Sequence, residues 1–231
     1  ISDYGGALAE YCRVPEAKLA PKPGLLDFAE AATLGISGTT ALAALQKGDV
    51  RSGQRVLVNG ASGGVGSFAV QIAQAAGAHV TAVCRGTKTK WMRELGADEV
   101  VDYLREDFAA GPDTWDLAID AACFRPVSDT KRAAGQSGRY VVVGGSLAAP
   151  LQAMLHMLRS KIFGGPRVLA FSSESTPELL SELAALAAAG KVRPAIDRCY
   201  TLNSAEEIRE AFAYLMAGHT SGKIVVETSG R

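Results

Sequence analysis

Short apolar segments alternate with longer, helix-like segments through the middle of the chain. The apolar segments predict strands at 56–59, 79–84, 99–102, 117–121 and 139–143, and the segments between them predict helices at 65–76, 88–95 and 126–134. The strands are short and almost continuously apolar, as parallel strands are when both faces of the sheet are buried. Strand–helix alternation at this spacing, with right-handed crossovers, predicts an α/β fold built on a doubly wound, Rossmann-type parallel sheet.

Further elements flank this repeat. Two helices are predicted before it, near 27–34 and 38–47, with Asp27 and Glu30 in a capping-box pattern and Gly48 at a C-cap position. After it, the pattern predicts a helix at 151–160, a strand near 166–171, helices at 176–189 and 204–217, and a closing strand at 223–227.

Residues 1–25 follow another pattern. Apolar and polar residues alternate imperfectly from Gly6 to Val14, and Pro15, Pro21 and Pro23 then interrupt the chain. This predicts a strand or two followed by an extended linker. The segment is too short to form a domain alone, so we expect it to belong to a larger module.

Composition narrows the function classes. The 231 residues include 24 Lys and Arg and 24 Asp and Glu, which argues against a general nucleic-acid or membrane-surface partner. No apolar run in the sequence approaches the ~20 residues that span a bilayer, and no secretory signal is visible. The Cys and His residues are scattered along the chain, so we expect a cytoplasmic protein with free thiols and no metal site.

A glycine-rich turn follows the first predicted strand, and a helix follows the turn. Gly60, Gly63, Gly64 and Gly66 let the backbone bend sharply and let a ligand approach closely. The helix begins with free N–H groups and the positive end of its dipole, which favour an anionic phosphate. The turn is therefore predicted to bind a dinucleotide pyrophosphate; Gly64 is expected to exclude a branched side chain, both by crowding the ligand and through any positive φ.

The end of the second predicted strand indicates which dinucleotide binds. An NAD site usually carries an acidic residue there, whereas this strand ends at Cys84 and leads into Arg85, Lys88 and Lys90. Positive charge suits a 2′-phosphate, and a carboxylate would repel it. NADP(H) is therefore the predicted cofactor.

Ligands bind beyond the carboxyl ends of parallel strands. We therefore expect Asp120 and Ala121, after the fourth strand, and Val143, Gly144 and Gly145, after the fifth, to face the cofactor. For the two glycines a simple turn is the alternative.

Together these segments resemble the medium-chain dehydrogenase/reductase superfamily, in particular its zinc-independent, zeta-crystallin-like quinone oxidoreductase branch. The matching segments run in family order over nearly the whole chain: Gly6–Tyr11, Leu34–Ala41, Asn59–Gly66, Leu95–Tyr103, Gly138–Gly145 and Gly222–Val226.

The resemblance implies roles for individual residues. Ala61, Ser62, Gly63, Gly64, Val65 and Gly66 would hold the pyrophosphate, Thr40 would lie beside the nicotinamide, and Gly144 and Gly145 would border it. Lys88 and Tyr103 match positions that contact the 2′-phosphate, with Arg85 adding charge. Ile36 stands close to a cysteine ligand of zinc-dependent members, so catalytic zinc is not expected. The strand near 166–171 would pair across a two-fold axis in a homodimer.

The resemblance also implies a domain division and a function. Residues 1–25 would be the remnant of a GroES-like catalytic domain, 26–200 an NADP-binding Rossmann domain, and 201–231 a closing helix and strand. The expected activity is NADPH-dependent hydride transfer to a quinone or to the activated C=C of a small electrophile. A non-catalytic NADPH-binding module and an alcohol dehydrogenase are the alternatives. No catalytic acid is assigned.

Overall fold

A six-stranded parallel sheet forms the centre of the protein. The computed structural model describes residues 6, 8–110, 114–127, 131–143, 158, 164–170 and 175–228. The strands are β1 Arg55–Asn59, β2 His79–Cys84, β3 Glu99–Asp102, β4 Leu117–Asp120, β5 Arg139–Val142 and β6 Arg167–Ala170. They lie in the order β3-β2-β1-β4-β5-β6, and the central strand β1 pairs in parallel with both β2 and β4. The predicted α/β class and doubly wound sheet are confirmed.

In the described part of the chain, the α-helices that pack on this sheet lie on one of its faces, and the 3-10 turn that contains Ala133 packs on the other. The helices are α1 Phe28–Thr33, α2 Thr39–Lys47, α3 Gly64–Ala75, α4 Thr89–Glu94, α5 Pro177–Ala188 and α6 Ala205–Met216, with 3-10 turns at Glu16–Lys18, Gly86–Lys88 and Lys131–Ala133. On one face, Phe68 of α3 and Leu45 of α2 pack with Val58 of β1. On the other, Trp115 and Tyr140 pack with Leu57, and the Trp115 indole donates a buried hydrogen bond of 3.0 Å to Thr81.

The two helices before β1 form one kinked run. The capping box of Asp27 and Glu30 is present as predicted, and Gly48 is the C-cap of α2. A π-helical turn at Leu34–Gly38 joins α1 to α2 through the kinked backbone of Gly35. By length and composition alone the whole run could cross a membrane, but 61% of its apolar window is buried inside the protein, as core helices are.

A second, two-stranded sheet closes the chain. Strands β7 Ile196–Thr201 and β8 Lys223–Glu227 pair in parallel, with α6 between them in sequence. The closing strand was predicted, whereas β7 was not, because its burial does not alternate regularly. The boundary expected at residue 200 therefore falls inside β7, which belongs with the closing helix and strand.

Other expectations differ from the structure. Residues 8–15 contain no strand, so the strand predicted there is wrong for the described part of that segment. A helix was expected at 126–134. In the described part of this range, Val127 is helical and Lys131–Ala133 form a short 3-10 turn. Apart from Leu158, the helix expected at 151–160 lies outside the described residues.

Candidate functional site

Three adjoining cavities form a groove at the carboxyl ends of β1, β2 and β4. Their volumes are about 470, 330 and 300 Å³. Ser62 lines the first and third, Gly60 and Gly63 line the first and second, and Thr220 lines all three. The groove lies where the strand order reverses on either side of β1, which is the usual ligand crevice of a doubly wound sheet.

The glycine-rich turn forms the floor of this groove. Gly60 has a φ of +76°, and a Cβ there would lie 2.9 Å from the Ala122 side chain. A Cβ on Gly66 would lie 2.2 Å from the Gly60 carbonyl oxygen, so Gly66 allows α3 to pack directly against the end of β1. Helix α3 begins at Gly64 with Gly63 as its N-cap, and no side chain bonds its first N–H groups. Those groups remain available to an anion.

Gly64 is crowded by protein atoms. A Cβ there would lie 3.0 Å from both Lys223 Cδ and Ser37 Oγ. Its φ is not positive, so the expectation of a strained backbone at Gly64 is wrong. Helical geometry at the first position of α3 explains the negative φ, and the left-handed position in the turn is Gly60.

Lys223 is a functional candidate that the sequence reasoning missed. From β8 its ammonium group donates a 3.0 Å hydrogen bond to Ser37 Oγ, and it lines the second cavity beside Gly64 and Val65. Burial lowers the pKa of Lys223, with no nearby carboxylate to oppose the shift in the described part of the chain. A desolvated cation beside the N-terminus of α3 favours an anionic ligand.

The third cavity brings together the three residues predicted to bind a 2′-phosphate. Arg85 Nε donates a 2.9 Å hydrogen bond to the Tyr103 hydroxyl, and Lys88 Nζ donates to Ser221 Oγ. No carboxylate among the described residues lines this cavity. Lys90 lies elsewhere, exposed and 3.9 Å from Glu94. The described lining of this cavity is therefore positively charged, although the Asp102 carboxylate lies close by, beside Gly86.

Asp120 supports the groove from below. It is 1% exposed, and its Oδ1 accepts hydrogen bonds from the Asn59 amide and the Cys123 N–H. The Tyr140 hydroxyl donates to Oδ2. Asp120 thus fixes the turn after β4, in which Cys123 has a φ of +48°, and it is Ala121 of this turn that lines the first and second cavities.

Other predicted site residues lie apart from these cavities. Thr40 is half-buried on α2 and lines none of the three, whereas Ser37 does. The Val143 N–H donates a 3.0 Å hydrogen bond to the Asp120 carbonyl oxygen. Gly144 and Gly145 lie outside the described residues.

Aromatic side chains line the first cavity. Phe108 is buried and Tyr103 half-exposed, while Phe124 is 93% exposed. Cys84 also lines this cavity, and burial, reinforced by the Asp102 charge, raises the pKa of its thiol to about 11. The thiol is therefore protonated at neutral pH, and the cavity offers apolar contacts rather than a nucleophile.

Metal ligands are not grouped in the described residues. No cluster of three or more His, Cys, Asp or Glu side chains able to hold a metal ion occurs there. Ile36, which stands close to the zinc-ligand position of the resemblance, presents a 63% exposed alkyl side chain, and an alkyl group cannot bind zinc.

Comparison with known proteins identifies the family. A family model described as zinc-binding dehydrogenase matches residues 95–226, more than half of the chain. The chain belongs to the medium-chain dehydrogenase/reductase superfamily. Its similarity to reductases and quinone oxidoreductases places it in the quinone oxidoreductase branch of that superfamily, as the sequence motifs predicted.

Two curated relatives and one solved structure illustrate the similarity. The 2-methylene-furan-3-one reductase of Solanum lycopersicum is 35% identical over 96% of this chain and 52% of the relative. A chloroplastic NADPH-dependent alkenal/one oxidoreductase of Arabidopsis thaliana is 32% identical over 96% of this chain and 53% of the relative. The quinone oxidoreductase from Coxiella burnetii superposes with a TM-score of 0.78 at 28% identity, covering 89% of this chain and 62% of that one. The chain thus spans about half the length of the curated relatives.

Proposed function

We propose that this chain is the nucleotide-binding part of an NADPH-dependent oxidoreductase that passes a hydride to a quinone or to the activated C=C of a small electrophile. The observation that carries the proposal is the basic pocket at the end of β2, which is continuous with the glycine-rich turn. Arg85, Lys88 and Tyr103 meet there without a carboxylate among the described lining residues.

The groove suits a dinucleotide with three phosphate groups. The free N–H groups of α3 and the ammonium of Lys223 are placed to bind the pyrophosphate, because both present positive charge to the second cavity. Arg85 and Lys88 supply charge-assisted hydrogen bonds to the 2′-phosphate, and Tyr103 holds the Arg85 guanidinium. The aromatic first cavity accommodates an adenine base by stacking.

The bound nicotinamide would supply the hydride. This chain would contribute position and orientation, since in such reactions the cofactor carries the difficult chemistry. A small electrophilic substrate agrees with the names of the two relatives, a 2-methylene-furan-3-one reductase and an NADPH-dependent alkenal/one oxidoreductase. None of the described residues is assigned as a catalytic acid.

A non-catalytic NADPH-binding module is the second candidate. The chain spans about half the length of the two relatives described above, and the residues proposed to bind the phosphate groups all lie in the described part of this chain. An alcohol dehydrogenase that uses zinc is disfavoured by the chemistry of Ile36.

Calorimetric titration followed by an activity assay tests these alternatives. The purified chain is titrated with NADPH and with NADH, and NADPH oxidation is then followed at saturating cofactor with a quinone and with a 2-alkenal. Tight NADPH binding with turnover supports the oxidoreductase, whereas NADPH binding supports the module only if the full-length protein also fails to oxidise NADPH. Failure to bind either nucleotide would rule out both.

A homodimer is also proposed, formed through the outer edge of β6. Strand β6 lies at the end of the described sheet, so no strand among the described residues pairs with its outer edge, and such an edge is a template for a second strand. Its Val168 and Leu169 side chains are buried. A partner would therefore cover the backbone edge of β6, and not an apolar surface as the sequence suggested.

We propose a cytoplasmic location without nucleic-acid or membrane partners, supported by the balanced charge.

A further inference from the structure

The loop between α6 and β8 forms the outer wall of the groove. We call residues 218–222 the closing loop. Its residues line all three cavities: Gly218 the first and third, Thr220 all three, and Gly222 the second. The Gly222 N–H donates a 3.0 Å hydrogen bond to the Ser62 carbonyl oxygen in the glycine-rich turn. This hydrogen bond joins the closing loop to the glycine-rich turn.

The closing loop is held from its other side by Asp197 on β7. One carboxylate oxygen, Oδ2, accepts hydrogen bonds from the Ser221 N–H at 2.8 Å and from the Tyr214 hydroxyl at 2.9 Å. The Arg198 guanidinium lies 3.8 Å from the centre of the Tyr214 ring. Hydrogen bonding to the Asp197 carboxylate is the main reason that the pKa of Tyr214 is raised.

Ser221 connects this anchor to the basic pocket. Its N–H is bound to Asp197, and its Oγ accepts a hydrogen bond from Lys88 Nζ. A lysine side chain has many rotamers, and binding is stronger when the bound rotamer is already held. Asp197 itself does not line the third cavity, so its negative charge supports the wall without facing the ligand.

We propose that Asp197 and Ser221 are positioning residues that set the preference for NADP(H) over NAD(H). Asp197 fixes the backbone of Ser221, and the Ser221 hydroxyl holds the Lys88 ammonium at the wall of the third cavity, where the 2′-phosphate binds. The inference rests on the proposed function. It adds that the cofactor preference, which the sequence analysis assigned to the loop after β2, depends on the second sheet as well.

Two variants test the proposal, each titrated with NADPH and NADH by calorimetry. Asp197→Asn weakens the charge-assisted bond to Ser221, and Ser221→Ala removes the contact with Lys88. Because only NADPH has a 2′-phosphate, each variant is expected to raise the Kd for NADPH about fivefold to tenfold, or about 1–1.4 kcal/mol, since the contact of Lys88 with the phosphate is weakened and not lost. The Kd for NADH is expected to change by less than about twofold, because NADH has no 2′-phosphate for Lys88 to contact.

Glu207→Gln is the matched control. The Glu207 carboxylate accepts 2.8 and 2.7 Å bonds from the Thr201 N–H and hydroxyl, so it also fastens α6 to β7, but it does not touch the closing loop. The control is expected to keep the wild-type ratio of the two Kd values even if its melting temperature falls.

The outcomes distinguish a failure of this inference from a failure of the proposed function. Equal weakening of NADPH and NADH would show that Asp197 and Ser221 are merely structural and would overturn the inference, as would an unchanged ratio in Ser221→Ala. Should Asp197→Asn fail to fold, Ser221→Ala decides alone. Wild-type protein that binds neither nucleotide would contradict the proposed function itself, whereas failure of the inference appears only in the variants.

Discussion

Lys223 is the most unusual charge near the groove. Its ammonium group is desolvated, and its hydrogen-bond partner is the neutral Ser37 hydroxyl. Burial opposes the charged form, so in the free protein this side chain costs stability while it is protonated, and the cost disappears as the pH rises through its lowered pKa. In the proposed complex, the negative charge of the pyrophosphate would offset that cost.

Replacing Lys223 with Met is therefore expected to weaken both NADPH and NADH, each by about tenfold, because both contain the pyrophosphate. Affinity of the wild-type chain is expected to fall as the pH rises toward the lowered lysine pKa, and Lys223→Met is expected to lose this dependence. Titrations across alkaline pH measure both effects. Lys90→Met, which removes an exposed lysine, is the control; a melting temperature that falls sharply in Lys223→Met would point to a structural role instead.

Arg85 and Lys88 are the two cations of the basic pocket that are proposed to bind the 2′-phosphate. Replacing both Arg85 and Lys88 with Ala is expected to raise the Kd for NADPH at least tenfold, since each charge-assisted contact contributes ~1.5–3 kcal/mol. NADH affinity is expected to stay nearly constant. Calorimetry on the double variant decides, and an unchanged NADPH affinity would show that the 2′-phosphate lies elsewhere.

At the scale of elements, the contact between α3 and β1 determines the shape of the turn. Gly66→Ala is expected to destabilise the protein by about 1–3 kcal/mol, because the new Cβ would meet the Gly60 carbonyl 2.2 Å away. Gly63→Ala is the matched control, because its Cβ would lie at an ordinary 3.4 Å from the same oxygen. Urea unfolding of both variants measures the difference, and equal stability would mean that the turn relaxes easily.

The local pattern of apolar and polar residues predicted the strands of the main sheet more completely than it predicted the residues around the groove. The strands of the main sheet carry mostly buried apolar residues, so their positions could be read from the sequence. Strand β7 could not, since Arg198 and Cys199 are exposed while Tyr200 is buried. Arg85 and Lys88 were predicted because the chemistry is local to one loop. Lys223 and Asp197 reach the site from the second sheet, and no spacing in the sequence signals such distant contacts.

At the scale of the whole molecule, the proposed dimer depends on the outer edge of β6. The Arg167 N–H donates a hydrogen bond to the carbonyl of Gly138, the residue before β5. N–H groups alternate in direction along a strand, so the Leu169 N–H also faces β5, whereas that of Ala170 faces outward. Light scattering of the wild-type chain at micromolar concentration is expected to show a dimer. Ala170→Pro, which removes an outward N–H, is expected to give a folded monomer.

Leu169→Pro is the comparison for that experiment. It removes a hydrogen bond inside the sheet and is expected to lower the melting temperature whether or not a dimer forms. A wild-type chain that is monomeric, or an Ala170→Pro variant that remains dimeric, would contradict pairing through β6.

The contact between Lys223 and Ser37 joins residues 186 positions apart, and that separation bears on how the groove is assembled in time. During synthesis the main sheet can form before β8 exists, because domains fold from the N-terminal end as they emerge. Contacts between such distant residues close late, since a long loop must be ordered first. The nucleotide therefore meets its complete site only after the last step of folding. Its stabilising effect will appear as slower unfolding, with the folding rate left unchanged.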